Sequence, residues 1–136
     1  MDIDRPEVIE QARDLLDRYE VALMANDAAT LDSIFWADPR TVRFGITEVL
    51  FGHDAIRAFR ATIRAYAPRV QRAVHITTFG DDLAVTNLLY ERTGSGRTSG
   101  QRGRETKIMA RFPDGWHVVS AHVSLLAEAD PGTQRV

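Results

Sequence analysis

The feature that most restricts this chain's fold is a change of hydrophobic period halfway along it. Over residues 70–79, 83–93, 104–112 and 116–126, apolar and polar residues alternate with period two. Successive strand side chains point to opposite faces, so this pattern predicts four strands, each with one face to bury. Gly80-Asp81-Asp82 and Pro113-Asp114-Gly115 supply hairpin-turn chemistry between neighbouring strands. The segment 94–103, rich in Gly, Ser and Arg, reads as a longer hairpin loop.

The first half follows the helical period instead. Val8, Ile9, Ala12, Leu15, Leu16, Tyr19, Ala22 and Leu23 form one apolar stripe of a helix running from Pro6 to about Ala25. Pro6 suits a first helical turn, and Asp4 is the expected cap. Asp27 is placed to cap a second short helix through about Phe35, and Asp38-Pro39 marks a loop. Two short strands are expected at 41–45 and 48–51. A third helix follows over 53–66, burying Ala55, Ile56, Phe59 and Ile63, with Arg57, Arg60 and Arg64 elsewhere on its surface. Three helices followed by antiparallel strands predict an α+β fold, with the helices packed on one sheet face. A strongly curved antiparallel sheet closing over them makes a cone with one interior pocket. One domain over 1–136 is expected, fraying after about residue 127, where no periodicity remains.

Composition excludes several roles. A net charge of -2 gives no electrostatic case for nucleic-acid binding. With 0 cysteines there is no disulfide framework, thiolate zinc site or cysteine nucleophile. Residues 1–25 carry charges throughout and read neither as a signal peptide nor as a membrane span, so the cytoplasm is the expected location. His53, His75, His117 and His122 show no ligand spacing, and neither a metal nor a cofactor is expected. An odd separation places His117 and His122 on opposite strand faces. The loop 94–103 lacks the strand-to-helix context of a phosphate loop.

Tyr19 and Arg43 are the residues most suggestive of chemistry. Tyr19 occupies the apolar stripe of the first helix. It either packs with its hydroxyl on a backbone carbonyl or offers a neutral phenol as a proton donor in a shielded pocket. Arg43 lies within Thr41-Val42-Arg43-Phe44-Gly45. It either pairs with a structural carboxylate such as Asp38 or Glu48, or grips a substrate carboxylate through paired hydrogen bonds. His122 shares a strand face with Trp116, Val118, Ser120 and Ser124 and is a candidate pocket-wall residue.

Several segments resemble the AtzH-like family. They are Phe35-Trp36-Ala37-Asp38-Pro39, Thr41-Val42-Arg43-Phe44-Gly45, Gly52-His53-Asp54-Ala55-Ile56-Arg57-Ala58-Phe59-Arg60, Thr77-Thr78-Phe79-Gly80, and the run from Phe112 to Ser124 that ends in Ala121-His122-Val123-Ser124. That family includes HpxZ-type oxalurate-catabolism proteins and belongs to the cone folds of the nuclear-transport-factor-two-like superfamily. The resemblance implies a curved sheet around three helices, a homodimer, and work on small nitrogen-rich carboxylates of cyanurate or oxalurate breakdown. It implies decarboxylation of 1,3-dicarboxyurea by a helix-one tyrosine and a strand arginine, which match Tyr19 and Arg43. The segment Gly103-Arg104-Glu105-Thr106-Lys107-Ile108-Met109 departs from HpxZ-type relatives, which tend to read Gly-Arg-Gln-Ser-Gln-Thr-Trp there.

On this reading Arg43 orients a small anionic substrate, Tyr19 supplies a proton, and Trp36, Phe59 and Ile108 exclude water beside His122. Two other functions remain open. One is a ketosteroid-isomerase-like or cyclase-like proton shuttle with Asp38 or Glu48 as base. The other is a non-catalytic partner of a pathway amidohydrolase.

Overall fold

A computed structural model describes residues 1–127. Helix α1 (Pro6–Met24) buries Val8, Ala12, Leu15, Leu16, Tyr19, Ala22 and Leu23, the stripe expected from its period. Pro6 opens the helix, but its first turn has no side-chain cap. Asp4, the expected cap, is turned away to the sheet at a φ of 59°, where its carboxylate accepts the Thr78 N–H at 2.9 Å. Its own N–H donates to the Thr78 carbonyl, tying the N-terminus to a strand edge. Helix α2 (Ala28–Ile34) is capped as expected, the Asp27 carboxylate accepting the Thr30 N–H at 3.2 Å.

Strands β1 (Val42–Phe44) and β2 (Val49–Phe51) form a short hairpin, and helix α3 (His53–Arg60) follows. That helix stops well before Tyr66, its expected end. The Asn26 side chain donates to the carbonyls of Ile63 (3.4 Å) and Arg64 (2.5 Å), giving those oxygens a partner outside the helix. Arg60, expected on the surface, is 2% exposed, because its guanidinium has Asp32 at 3.1 Å inside the fold.

The remaining chain forms β3 (Arg69–Phe79), β4 (Leu83–Arg92), β5 (Arg102–Phe112) and β6 (Gly115–Leu125). The sheet runs β2-β1-β6-β5-β4-β3, and the helices cover its concave face. It is mixed rather than wholly antiparallel, since β1 lies parallel to β6 with Arg43 beside Ala121. No hairpin joins those two strands; the intervening chain travels out to β3 and back, so their relative direction is set by the tertiary path. The expected fraying tail falls outside the described residues. Among the described residues no helix is long and apolar enough to cross a membrane.

Register fixes which side chains enter the interior. Arg43 pairs with Leu50 and Ala121, Ala121 with Lys107, Lys107 with Thr86, and Thr86 with Ile76. These residues form one row across the concave face. A bulge in β6, where Ile108 faces Ser120 but Met109 faces Val118, inserts Val119 and switches the parity of that strand. Val118 and Ala121 therefore both point inward and are buried.

The core closes on Leu16, Leu31, Ile34, Phe35, Ile56, Met109 and Val118, each no more than 1% exposed. Leu16→Ala is expected to lower unfolding stability by about 2–5 kcal/mol through lost apolar contact and the cavity left behind. Urea denaturation checks this as a fall in midpoint at unchanged slope.

Candidate active site

Four cations converge beneath α1: Arg43 from β1, Arg60 from α3, Arg69 from β3 and Lys107 from β5. Burying a charge without a partner is costly, so each needs a nearby anion. Arg69 sends two hydrogen bonds to Glu20 (2.9 and 2.7 Å) and one to Glu105 (3.2 Å). Arg60 bonds Asp32 at 3.1 Å and donates to the Tyr66 hydroxyl at 3.2 Å. Arg43 donates to Glu48 at 2.5 Å, and Lys107 contacts Glu105. Two glycines make room for these arrangements. A methyl at Gly45 would strike the Glu48 carboxylate, and one at Gly103 would strike the Tyr90 ring, over which Arg69 lies at 4.5 Å.

Tyr19 sits at the centre. It is 4% exposed, packs edge-on to Phe35 with ring centroids 6.2 Å apart, and has the Lys107 Nζ 3.9 Å from its own centroid. Among the described residues, Tyr66 is the one tyrosine whose hydroxyl is hydrogen-bonded; that of Tyr19 rests on no carbonyl. Arg43 lies 5.8 Å over the Phe59 ring and uses one N–H for Glu48. A guanidinium has five N–H groups, so most of its capacity remains available to an incoming acceptor. Its side chain is 11% exposed, and that of Glu48 is 15% exposed. The carboxylates of Glu20 and Asp32, at 18% and 19%, reach solvent to a similar small degree.

Burial works against the Arg43 charge, yet Tyr19 and Glu48 nearby hold its pKa above the ordinary value. Burial pushes Glu48 upward, and the hydrogen bond and charge of Arg43 more than reverse this. Asp38 is drawn down to about 2 by the side-chain and backbone hydrogen bonds of Arg40. A carboxylate so lowered is a weak base, and Glu48 is engaged by Arg43; neither geometry favours proton abstraction.

The expected site residues separate into two groups. Tyr19, Arg43 and Phe59 meet in the interior. His122 does not line it: it is exposed on the convex face, its ring against Phe44 at 5.5 Å. The bulge at Val119 is the reason, since it places His122 opposite Thr106, on the face away from Lys107. The same extra residue brings His117 and His122 onto one face instead of opposite ones. Ile108 also points to the convex side, because Lys107 and Met109 on either side of it point inward. Trp36 is occupied away from Tyr19, stacked on Phe112 at 5.1 Å with Arg40 over its ring at 4.7 Å.

Lys107 and Glu105 are the interior residues that the alternation alone did not single out. One signal was available: the chain holds sixteen arginines and a single lysine. Burial, then the charges of Arg69, Arg43 and Arg60, lower the Lys107 pKa well below its ordinary value, while Glu20 opposes the shift. Between its folded-state pKa and the ordinary value of 10.5, the unfolded chain binds a proton that the folded chain does not. Stability therefore rises with pH across that window. We expect this rise in urea denaturation as the pH approaches 10.5 from below, and its loss in Lys107→Met. Identical slopes in the two proteins would refute it.

Comparison with known proteins agrees with this architecture. The AtzH-like family model matches residues 1–129. A protein of unknown function from Pectobacterium atrosepticum is 40% identical, with a TM-score of 0.85 over 93% of this chain and 96% of that one. A cystatin-like fold protein from Burkholderia xenovorans is 36% identical, with a TM-score of 0.87 over 95% and 99%. An NTF2-like protein of unknown function from Pseudomonas putida, 22% identical with a TM-score of 0.78 over 96% and 94%, shares the fold. No curated protein sequence matches the chain. With its tyrosine and arginine both inside a curved sheet and the family pattern running over all its described residues, this chain belongs to the AtzH-like family and shares its fold with NTF2-like proteins.

Proposed function

We propose that this protein is a cofactor-independent decarboxylase of a small urea or carbamate carboxylate such as 1,3-dicarboxyurea, acting in cyanurate- or oxalurate-type nitrogen catabolism. The observation that carries the proposal is Arg43, a nearly buried guanidinium that gives one hydrogen bond to Glu48 and lies close enough to Tyr19 for the two to interact electrostatically. A substrate carboxylate exchanges with the Glu48 carboxylate on Arg43, an anion replacing an anion so that the interior charge balance is kept.

Tyr19 then donates a proton toward the carbamate nitrogen. The C–N bond breaks, its electron pair stays on nitrogen, and the carboxylate leaves as carbon dioxide. No electron sink is needed, because the leaving nitrogen carries the pair. Phe59, with Phe35 behind Tyr19, limits water around the breaking bond.

Carbon dioxide release from freshly generated 1,3-dicarboxyurea tests this. Tyr19→Phe is expected to lower the rate by about 10²–10⁴-fold, the usual range for a general acid. Arg43→Ala is expected to abolish saturable turnover, and Arg43→Lys to restore little, because an ammonium cannot reproduce the planar fork. A folded wild type that releases no carbon dioxide above the uncatalysed rate would overturn the reading. Co-purification with an amidohydrolase would then favour the accessory role.

We further propose a homodimer formed through the convex face. Val49 is 65% and Phe51 67% exposed there, adjoining Phe44, whose ring meets Phe51 edge-on at 5.9 Å. Together with the exposed His122, they form an apolar patch of the kind that marks association surfaces. Sedimentation is expected to give twice the chain mass for the wild type and a lighter species for Phe51→Asp. A monomeric wild type at micromolar concentration would refute it.

A further inference from the structure

Lys107, the chain's single lysine, is 1% exposed at the middle of the concave row. Arginine supplies every other cationic side chain, yet here the chain places the one cation that can readily surrender its proton. An ammonium has three N–H donors, but the Lys107 Nζ forms no well-aligned hydrogen bond among the described residues. Glu105 is the carboxylate in contact with it, and Glu105 is shared with Arg69. Glu20 and Tyr19 on α1, Arg43 on β1, Arg60 on α3, Arg69 on β3 and Glu105 on β5 are the charged or titratable groups around it. Positive charge nearby and exclusion of water are the two devices that keep a lysine amine neutral and nucleophilic.

The neighbours supply the rest of a carbonyl-capturing site. Arg43 lies in the same row, with only Ala121 on the intervening strand. Two strand spacings, roughly 9–10 Å between backbones, separate Arg43 from Lys107. Both side chains point inward from strands on either side of the small Ala121. Of the two cations, Arg43 lies nearer solvent, its side chain 11% exposed against 1% for Lys107.

We propose that Lys107 is an imine-forming amine that captures a small oxo acid, whose carboxylate is held by Arg43. The amine attacks the carbonyl carbon, an N–C bond forms, and the C=O π pair moves to oxygen. Proton transfer from nitrogen to oxygen gives the carbinolamine, with Glu105 as the relay. A proton passed through Glu105 to the hydroxyl releases water as the nitrogen lone pair closes the C=N bond, and the iminium then returns its N–H proton by the same relay. One amine and one carbonyl thus yield one imine and one water. This chemistry goes beyond the carbamate decarboxylation above and does not depend on it, since its readout is a covalent bond.

The test is reductive trapping. The full chain is incubated with glyoxylate, pyruvate or acetoacetate and cyanoborohydride, then weighed intact and mapped as peptides. One adduct on Lys107 is expected. It should be absent in Lys107→Arg and Lys107→Met, whose circular dichroism reports whether each has folded. Arg43→Ala should slow trapping by about tenfold or more, the effect of losing a charge-assisted hydrogen bond to the carboxylate. A folded wild type labelled at the Met1 amine alone would overturn the proposal. Trapping as fast in Arg43→Ala as in wild type would overturn the assignment of Arg43.

Discussion

The structure depends on the placement of charge inside a core of modest size. Arg69, Arg60, Arg43 and Lys107 are all nearly buried, and each lies against a carboxylate: Glu20 and Glu105, Asp32, Glu48, and again Glu105. Removing one member leaves its partner charged and dry, which is far more damaging than losing an exposed pair. The pairs also join elements distant in sequence. Arg69–Glu20 binds β3 to α1, and Arg60–Asp32 binds α3 to α2. Misplaced helices would strand these charges, so the network favours one packing over its competitors.

The same network shapes the chemistry available. Four cations face four carboxylates, so the interior is close to charge balance. Burial together with Arg69, Arg43 and Arg60 disfavours the charged form of the Lys107 amine, while Glu20 opposes them. The interior offers little to a reaction that needs a carboxylate base. Asp38 belongs to Arg40 on the surface and Glu48 to Arg43, so both acids serve arginines. Arg43 differs from the other two arginines in its single hydrogen bond among the described residues and its slightly greater exposure. That difference is why an anionic substrate is assigned to it rather than to Arg60 or Arg69.

Much of the fold was legible in the sequence, because periodicity directly records which face of an element is buried. The α1 stripe, the Asp27 cap, the four long strands and their turns all follow from local chemistry. Local signals misled where another part of the chain competed for a group. Asp4 satisfies Thr78 of β3 instead of capping α1, and Asn26 holds carbonyls beyond the end of α3. Arg60 looked like a surface residue because Asp32, which permits its burial, lies on a different helix.

At the site, residue order alone puts a tyrosine and an arginine where apolar residues would otherwise be expected. The sequence also held the isolated lysine, a signal that alternation analysis passes over because β5 reads as polar around it. Pairing between distant strands selects which side chains share the interior. The parity of a strand is uninterrupted in sequence, yet one extra residue at Val119 turns His122 outward and Ala121 inward. The parallel pairing of β1 with β6 then sets Arg43 beside that small residue, with one strand between it and Lys107. Both outcomes arise from hydrogen bonds between distant strands, and such bonds leave no periodic trace in either strand alone.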